Sequence, residues 1–433
     1  MTTMMTISRH LGMGAIERIA VMFENSKMPA KFADWSREDR VSHMAFRFIK
    51  TPCTKAIDKA LGELFWPAGL DTEGEGCFVI GQTGAGKTTA VRMFTDRVYE
   101  ELRTADPSGS WYRPKVFGTD LSPIVHKTPN GLRRPVAVVW VDPRPRFNAF
   151  MAHTALALGI DLGGRFNFGQ ACIEVAAALQ EQQVKMILFD DVQHIVEAEM
   201  DTEGAGDVLK VLAKGGIQVV CIGLPRAVDL EQNAQFERLV ADTQVVVPFH
   251  CSIGDFPQTD EDGKVIGTER QRLTPFRKFM ASVDHRDGNR SFLPFDKPSH
   301  LSMPDMALRI HQAGEGHAGK IMKLIKRAAR GAITDGSEWI TKKHFEDAYR
   351  KSSRCSDEAN WFRLSFDDVQ ERFGSVRVKM TREEVIASAR EDDLVESRPV
   401  QPKPTKAKGK PRNKSPLSDR AARDVEDAIA GRR

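Results

Sequence analysis

Short apolar runs set the rhythm of the middle of the chain. Cys77–Ile80, Pro135–Val141, Met186–Phe189, Gln218–Ile222 and Gln244–Phe249 have the length and Val/Ile/Phe content of buried strands. The segments between them are spaced for helices. Ala90, Val91 and Phe94 share one face; so do Phe150, Ala155 and Leu158, and Ile173, Val175, Ala176 and Leu179 over 168–182. Val228 and Leu230 open a further helix that reaches Gln235–Arg238. Five strands, marked by Cys77, Val138, Met186, Val219 and Val245, alternate with helices, which predicts an α/β fold with a five-stranded parallel sheet.

The flanks differ. Residues 1–70 read as an N-terminal helical region, with an amphipathic helix through Ile16, Ile19, Ala20 and Phe23, a polar stretch at Asp34–Arg40 and a helix over Thr54–Phe65. The basic-aromatic run Phe46–Lys50 favours core packing over nucleic-acid contact. Ala105–Arg134 is rich in Pro, Gly and Ser and is expected to be a long functional loop. After residue 261 the pattern turns helical, with helices over 305–313, 318–332 and 342–350 starting at Asp305, His317 and Thr341. Residues 397–418 hold prolines, lysines and arginines with no acid, a composition that builds no core and predicts disorder. Such a tail is either an electrostatic arm or a solvated extension. The expected division is 1–70, an α/β core over 71–255, a helical domain over 256–355, an extension over 356–396 and a basic tail over 397–433.

Composition narrows the class. The 433 residues, 41% hydrophobic and 28% charged, suit a globular protein of two or three domains. A net charge of +4 leaves any nucleic-acid affinity to local patches. The 6 cysteines form no C-x-x-C pair, which argues against zinc and disulfides and fits a reducing cytoplasm. No apolar run is long enough for a membrane span, and the first residues do not read as a signal peptide.

The candidate chemistry begins where the first strand ends. Gly81-Gln82-Thr83-Gly84-Ala85-Gly86-Lys87-Thr88 fits G-x-x-x-x-G-K-[ST], with Thr89 continuing into the helix. Glycines let the backbone N–H groups curl around phosphate oxygens, Lys87 reaches the β- and γ-phosphates, and Thr88 offers its hydroxyl to Mg²⁺. This predicts binding of a nucleoside triphosphate. Downstream, the strand Met186–Phe189 feeds Asp190 and Asp191. Asp190 is assigned to Mg²⁺, through water, and Asp191 to the attacking water. His194 is read as a turn or interface residue, since no second ligand stands at metal spacing. Arg113, Lys115, Arg133, Arg134, Arg144 and Arg146 are candidates for DNA-backbone contacts, or are solvent-facing charges.

Four blocks carry a family resemblance: Val138–Pro145, Ile187–Ile195 (ILFDDVQHI), Val219–Leu239 and Gly316–Ala348. With the P-loop they resemble the TniB and TnsC family of transposon AAA+ ATPases over roughly residues 45–350. The resemblance implies an AAA+ P-loop NTPase with a helical lid domain, using ATP and Mg²⁺. It implies a homo-oligomer, ring or filament, that assembles on double-stranded target DNA without sequence specificity. It also implies recruitment and activation of a transposase, with a target-selector protein as a further partner, release by ATP hydrolysis, and a cytoplasmic protein encoded by a bacterium or a mobile element. On that pattern Arg238 reaches a neighbouring subunit's γ-phosphate, and Lys320 stands at a lid position usually held by an arginine. Otherwise Arg238 is a helix-end arginine and Lys320 a solvated lysine. Asp191 is one methylene shorter than the usual glutamate, and Leu224 replaces an expected polar residue. Lys320 lacks the guanidinium fork. All three departures predict slow hydrolysis. A helicase loader, a protein-remodelling ATPase and a nucleotide-stabilised DNA scaffold are the alternatives.

Overall fold

A computed structural model describes residues 31–45, 47–143, 145–163, 166–197, 202–249, 275–288, 291–353 and 356–374. The expected helix at Ile16–Phe23, Phe46, Arg144, Cys251, Cys355 and the basic tail lie outside the described residues. The described residues divide into two units: one formed by those within 53–83 and 87–246, the other by those within 31–52, 84–86 and 247–374. Helix α1 (Arg37–Ala45) belongs to the second.

The first unit opens with α2 (Pro52–Phe65), which buries Ile57, Leu61, Leu64 and Phe65 at helical spacing. Strand β1 (Gly76–Gly81) follows, then α3 (Lys87–Ala105). Strands β2 (Ser110–Tyr112), β3 (Ile124–Thr128) and β4 (Gly131–Trp140) come next, then α4 (Phe147–Ala157) and α5 (Phe168–Glu181). Strand β5 (Met186–Asp190) leads into α6 (Gln193–Glu197) and α7 (Thr202–Ala213). Strand β6 (Gln218–Gly223), a 3₁₀ segment (Pro225–Gln232), α8 (Ala234–Glu237) and β7 (Val240–Val246) complete the unit.

The sheet has seven strands in the order β2-β3-β4-β5-β6-β1-β7. Four expected strands are present where expected; the fifth begins earlier, at Val240, and ends at Val246 short of the expected Phe249, and β4, β5, β6, β1 and β7 pair in parallel. Strands β1, β5 and β6 are buried at every position, so both faces of the sheet are covered there. Leu179, Phe189, Leu209, Ile217 and Phe236 lie in this core.

The region expected to be a long loop is corrected. Strands β2 and β3 sit inside it and pair antiparallel onto the first half of β4. The turn is Pro129-Asn130, closed by Thr128 opposite Gly131, whose φ is +128°. The helix expected through Val228 and Leu230 is instead the 3₁₀ segment broken from α8 at Asn233, whose side-chain oxygen accepts the Phe236 N–H at 2.9 Å. Helix α1 occupies part of the stretch read only as polar.

The second unit is helical. Helices α9 (Pro275–Val283), α10 (Pro304–Gly314), α11 (Ala318–Asp335), α12 (Lys342–Ser353) and α13 (Phe366–Gly374) follow one another. Their core joins Met44 of α1 to Phe276, Leu308, Ile325, Ala329, Phe345 and Phe362, and Ile49 packs against it. Helix α11 stops at Gly336, whose φ of +82° is the left-handed C-terminal cap. Buried Arg309 stitches α10 to the chain beyond α12 through the carbonyls of Trp361 and Leu364. No helix among the described residues is long and apolar enough to cross a membrane.

Candidate nucleotide site

The parallel register decides what meets here. Strand β6 lies between β1 and β5, so the C-terminal ends of all three fall side by side. The loop 81–88 leaves β1 at that edge and enters α3 at Lys87. Gly84 and Gly86 have φ of +76° and +105°, values that suit glycine. Lys87 Nζ donates to the carbonyls of Gly81 at 2.7 Å and Gln82 at 3.1 Å. Burial pushes its ammonium down to about 8, while Asp190 and Asp191 pull it upward. The basic group and both acids thus share one electrostatic environment. Thr88 is partly buried, and Thr83 and Thr89 are exposed.

Asp190 ends β5 and is buried. Burial raises its carboxyl to about 6; against this, Thr119 donates to its Oδ2 at 2.6 Å and lowers it. The sequence reading missed Thr119, which lies between β2 and β3. Asp191 takes the left-handed backbone conformation, φ +64°, unusual for a residue with a side chain. Its Oδ1 accepts from Gln193 Nε2 at 3.1 Å. Gln193, also missed, begins α6.

The remaining candidates are dispersed. Arg238 is exposed in the turn between α8 and β7. Lys320, in the first turn of α11, pairs with Glu315. Its N–H donates to the Gly84 carbonyl at 3.1 Å, a contact inside the helical unit to which residues 84–86 belong. Arg113 is turned inward onto Asp96, and Arg134 is buried, its guanidinium pKa lowered by that burial. Lys115, Arg133 and Arg146 are exposed. Cys77, Cys172 and Cys221 are buried free thiols, and burial pushes the first two up to about 12.

The donor set fits Mg²⁺. A hard cation that keeps several waters needs only one or two protein oxygens beside phosphate, here the Thr88 hydroxyl and the Asp190 carboxylate. Among the described residues no group of three or more His, Cys, Asp or Glu is placed to hold a metal ion by itself.

A strand, a phosphate loop and an acid-tipped strand one place removed across β6 define a P-loop nucleotide-binding unit. The profile of an AAA domain matches residues 72–230, and with the helical C-terminal region the chain has the AAA+ P-loop fold. No curated protein matches the chain. Among solved structures, the Aeropyrum pernix ORC2 protein in ADPNP–ADP complexes is similar at 12% identity and a TM-score of 0.47, over 90% of this chain and 98% of that one. The Aeropyrum pernix ORC1 protein in complex with DNA is similar at 12% identity and a TM-score of 0.44, over 82% and 87%. Cdc6p from Pyrobaculum aerophilum is similar at 13% identity and a TM-score of 0.44, over 81% and 88%.

Proposed function

We propose that the chain is a slow ATP-hydrolysing switch that assembles on target DNA and regulates transposition. The observation that carries the ATPase part is the convergence of Lys87, Asp190 and Asp191, which the parallel order β5-β6-β1 brings to one edge and which interact electrostatically there. In the reaction water attacks the γ-phosphorus, the bond to the β,γ-bridging oxygen breaks, and ADP leaves. Asp191 orients that water and takes its proton, while Lys87 and the loop N–H groups hold the phosphates. Thr88 and, through water, Asp190 would hold Mg²⁺, which would supply neutralisation of phosphate charge. The short Asp191 side chain supports slow turnover.

The transposition part is supported by the sequence blocks Val138–Pro145, Ile187–Ile195, Val219–Leu239 and Gly316–Ala348. On this proposal the protein forms a homo-oligomer on double-stranded DNA, with Arg238 acting on a neighbouring subunit's nucleotide. Lys320 serves as a lid cation, the transposase docks on the assembly, and hydrolysis releases it. The test is duplex-DNA binding with ATP, ADP and a non-hydrolysable analogue, for wild type and Lys87→Ala. ATP-dependent binding that the variant loses supports the proposal; binding indifferent to nucleotide overturns it.

A further inference from the structure

Gln193 is a polar residue with 5% of its surface exposed, set between the core residues Val192 and Ile195. A buried primary amide is costly unless its donor and acceptor are both used. Here Nε2 donates to Asp191 Oδ1 at 3.1 Å and Oε1 accepts the Leu224 N–H at 3.1 Å. The chemistry of the partners fixes the orientation. A backbone N–H must face the amide oxygen and a carboxylate must face the amide nitrogen, so a flipped amide loses both bonds.

The surroundings are shaped for this bridge. A Cβ at Gly223 would come within 2.8 Å of Gln193 Oε1 and 3.0 Å of Val192 Cγ2, so the glycine leaves the space the amide fills. The Val192 N–H donates to the Ile222 carbonyl at 3.1 Å and the His194 N–H to the Asp191 carbonyl at 3.1 Å, fixing the backbone on either side. Leu224 follows β6, the strand between the acid's strand and the phosphate-loop strand. The amide therefore ties the Asp191 carboxylate to the strand end beside the phosphate loop. It does so through a neutral donor, which orients a carboxylate without placing a cation on it.

We propose that Gln193 is the positioning residue for Asp191, fixing the carboxylate that orients the attacking water; this rests on the hydrolytic reading above. The Leu224 side chain offers no polar group, and its backbone N–H provides the anchor instead. Misplacing a reacting group by about 1 Å costs on the order of 100-fold in rate.

Gln193→Glu separates the two arms. Ionised, the introduced carboxylate keeps an acceptor for the Leu224 N–H and offers no donor to Asp191. With the full-length protein, turnover of Mg-ATP, affinity for a fluorescent ATP analogue and thermal melting are measured for wild type, Asp191→Asn and Gln193→Glu. We expect ATP affinity within about 3-fold of wild type and kcat lowered roughly 10- to 100-fold. Gln193→Met, of similar length with neither bond, is read the same way should the glutamate variant fail to fold. Wild-type kcat in the folded variant overturns the proposal. So does a loss of ATP affinity as large as the loss of kcat, which marks a merely structural role. If wild type does not hydrolyse ATP, the ATPase reading itself fails; if Asp191→Asn hydrolyses it at the wild-type rate, the role given to Asp191 falls; in either case the role of Gln193 falls with it. If both controls behave and only Gln193→Glu is unaffected, the ATPase reading stands and the positioning role falls.

Discussion

The Thr119 hydroxyl donates to Asp190 Oδ2 at 2.6 Å across 71 residues of chain, while its own oxygen accepts the Leu121 N–H at 3.1 Å. That second bond turns the hydroxyl hydrogen toward the acid. On the proposal that Asp190 holds Mg²⁺, a side chain that orients its carboxylate in this way matters 10- to 100-fold to metal affinity or activity. Thr119→Val keeps the shape and removes the bond. We expect it to raise the Mg²⁺ concentration giving half-maximal ATP turnover about 10-fold while leaving the fold intact. A magnesium titration unchanged from wild type would remove Thr119 from the site.

Thr119 is in turn held by its neighbour. Gly118 has φ +83°, and a Cβ there would lie 2.2 Å from the Trp140 ring. Trp140 closes β4, whose register places it opposite Asp190. Gly118→Ala brings a steric clash and an unfavourable backbone conformation together. It is expected to destabilise the α/β unit by about 1–3 kcal/mol and to reproduce the magnesium phenotype of Thr119→Val. Thermal melting and the same titration check both effects. Retention of wild-type behaviour in both would mean that the loop does not set Thr119.

The contrast between these loop residues and the phosphate loop shows what a sequence displays. The phosphate loop was legible because its chemistry is contiguous: strand, glycines, lysine and helix within one stretch. The Asp190-Asp191 pair was legible for the same reason, as an apolar strand ending in acids. Thr119 carries no local signal, because its meaning comes from β4 lying beside β5. Gln193 reads as a polar turn residue until Leu224 is brought to its oxygen. Strands β2 and β3 were obscured by prolines and charges, although Asn130-Gly131, at the turn from β3 to β4, is a recognised turn signal. The three helices over 304–353 were legible because their apolar spacing is regular.

The basic candidates of the α/β unit separate into two groups. Arg113 donates to Asp96, to Thr95 Oγ1 at 2.9 Å and to the Ser122 carbonyl at 3.2 Å, with its guanidinium over the Tyr99 ring. Asp96 is 32% exposed and keeps Arg92 at 3.9 Å, so Arg113→Ala is expected to cost about 1 kcal/mol and to lower the melting temperature. Arg133 and Arg146 are exposed. If they meet DNA phosphates, each alanine variant lowers the slope of log affinity against log salt by about 1 without changing stability. Salt-titrated DNA binding and thermal melting of the three variants separate the groups. An unchanged slope in both exposed variants would put the DNA surface elsewhere.

A last prediction concerns the helical unit, where His43 is 2% exposed and sits between the edges of Phe32 and Trp35. Its Nε2 lies 2.7 Å from the Ser291 carbonyl, which can only accept, so Nε2 carries the ring proton and donates. Burial holds the imidazole down at about 4; the Ser291 carbonyl opposes that shift and Arg47 adds to it. The unfolded chain has its histidine near about 6.5. Above that pH both states are neutral at this position and the shift contributes nothing. Between about 6.5 and 4 the unfolded state binds a proton that the folded state refuses, so stability falls as pH falls. The shift corresponds to about 3 kcal/mol once pH is below the folded value. In a His43→Gln variant the introduced amide can still donate to the Ser291 carbonyl but does not titrate. Denaturant unfolding of both proteins at pH 7 and pH 4.5 should therefore show a steeper acid loss in wild type than in the variant. Equal losses would mean that His43 takes up its proton in the folded state as readily as in the unfolded chain.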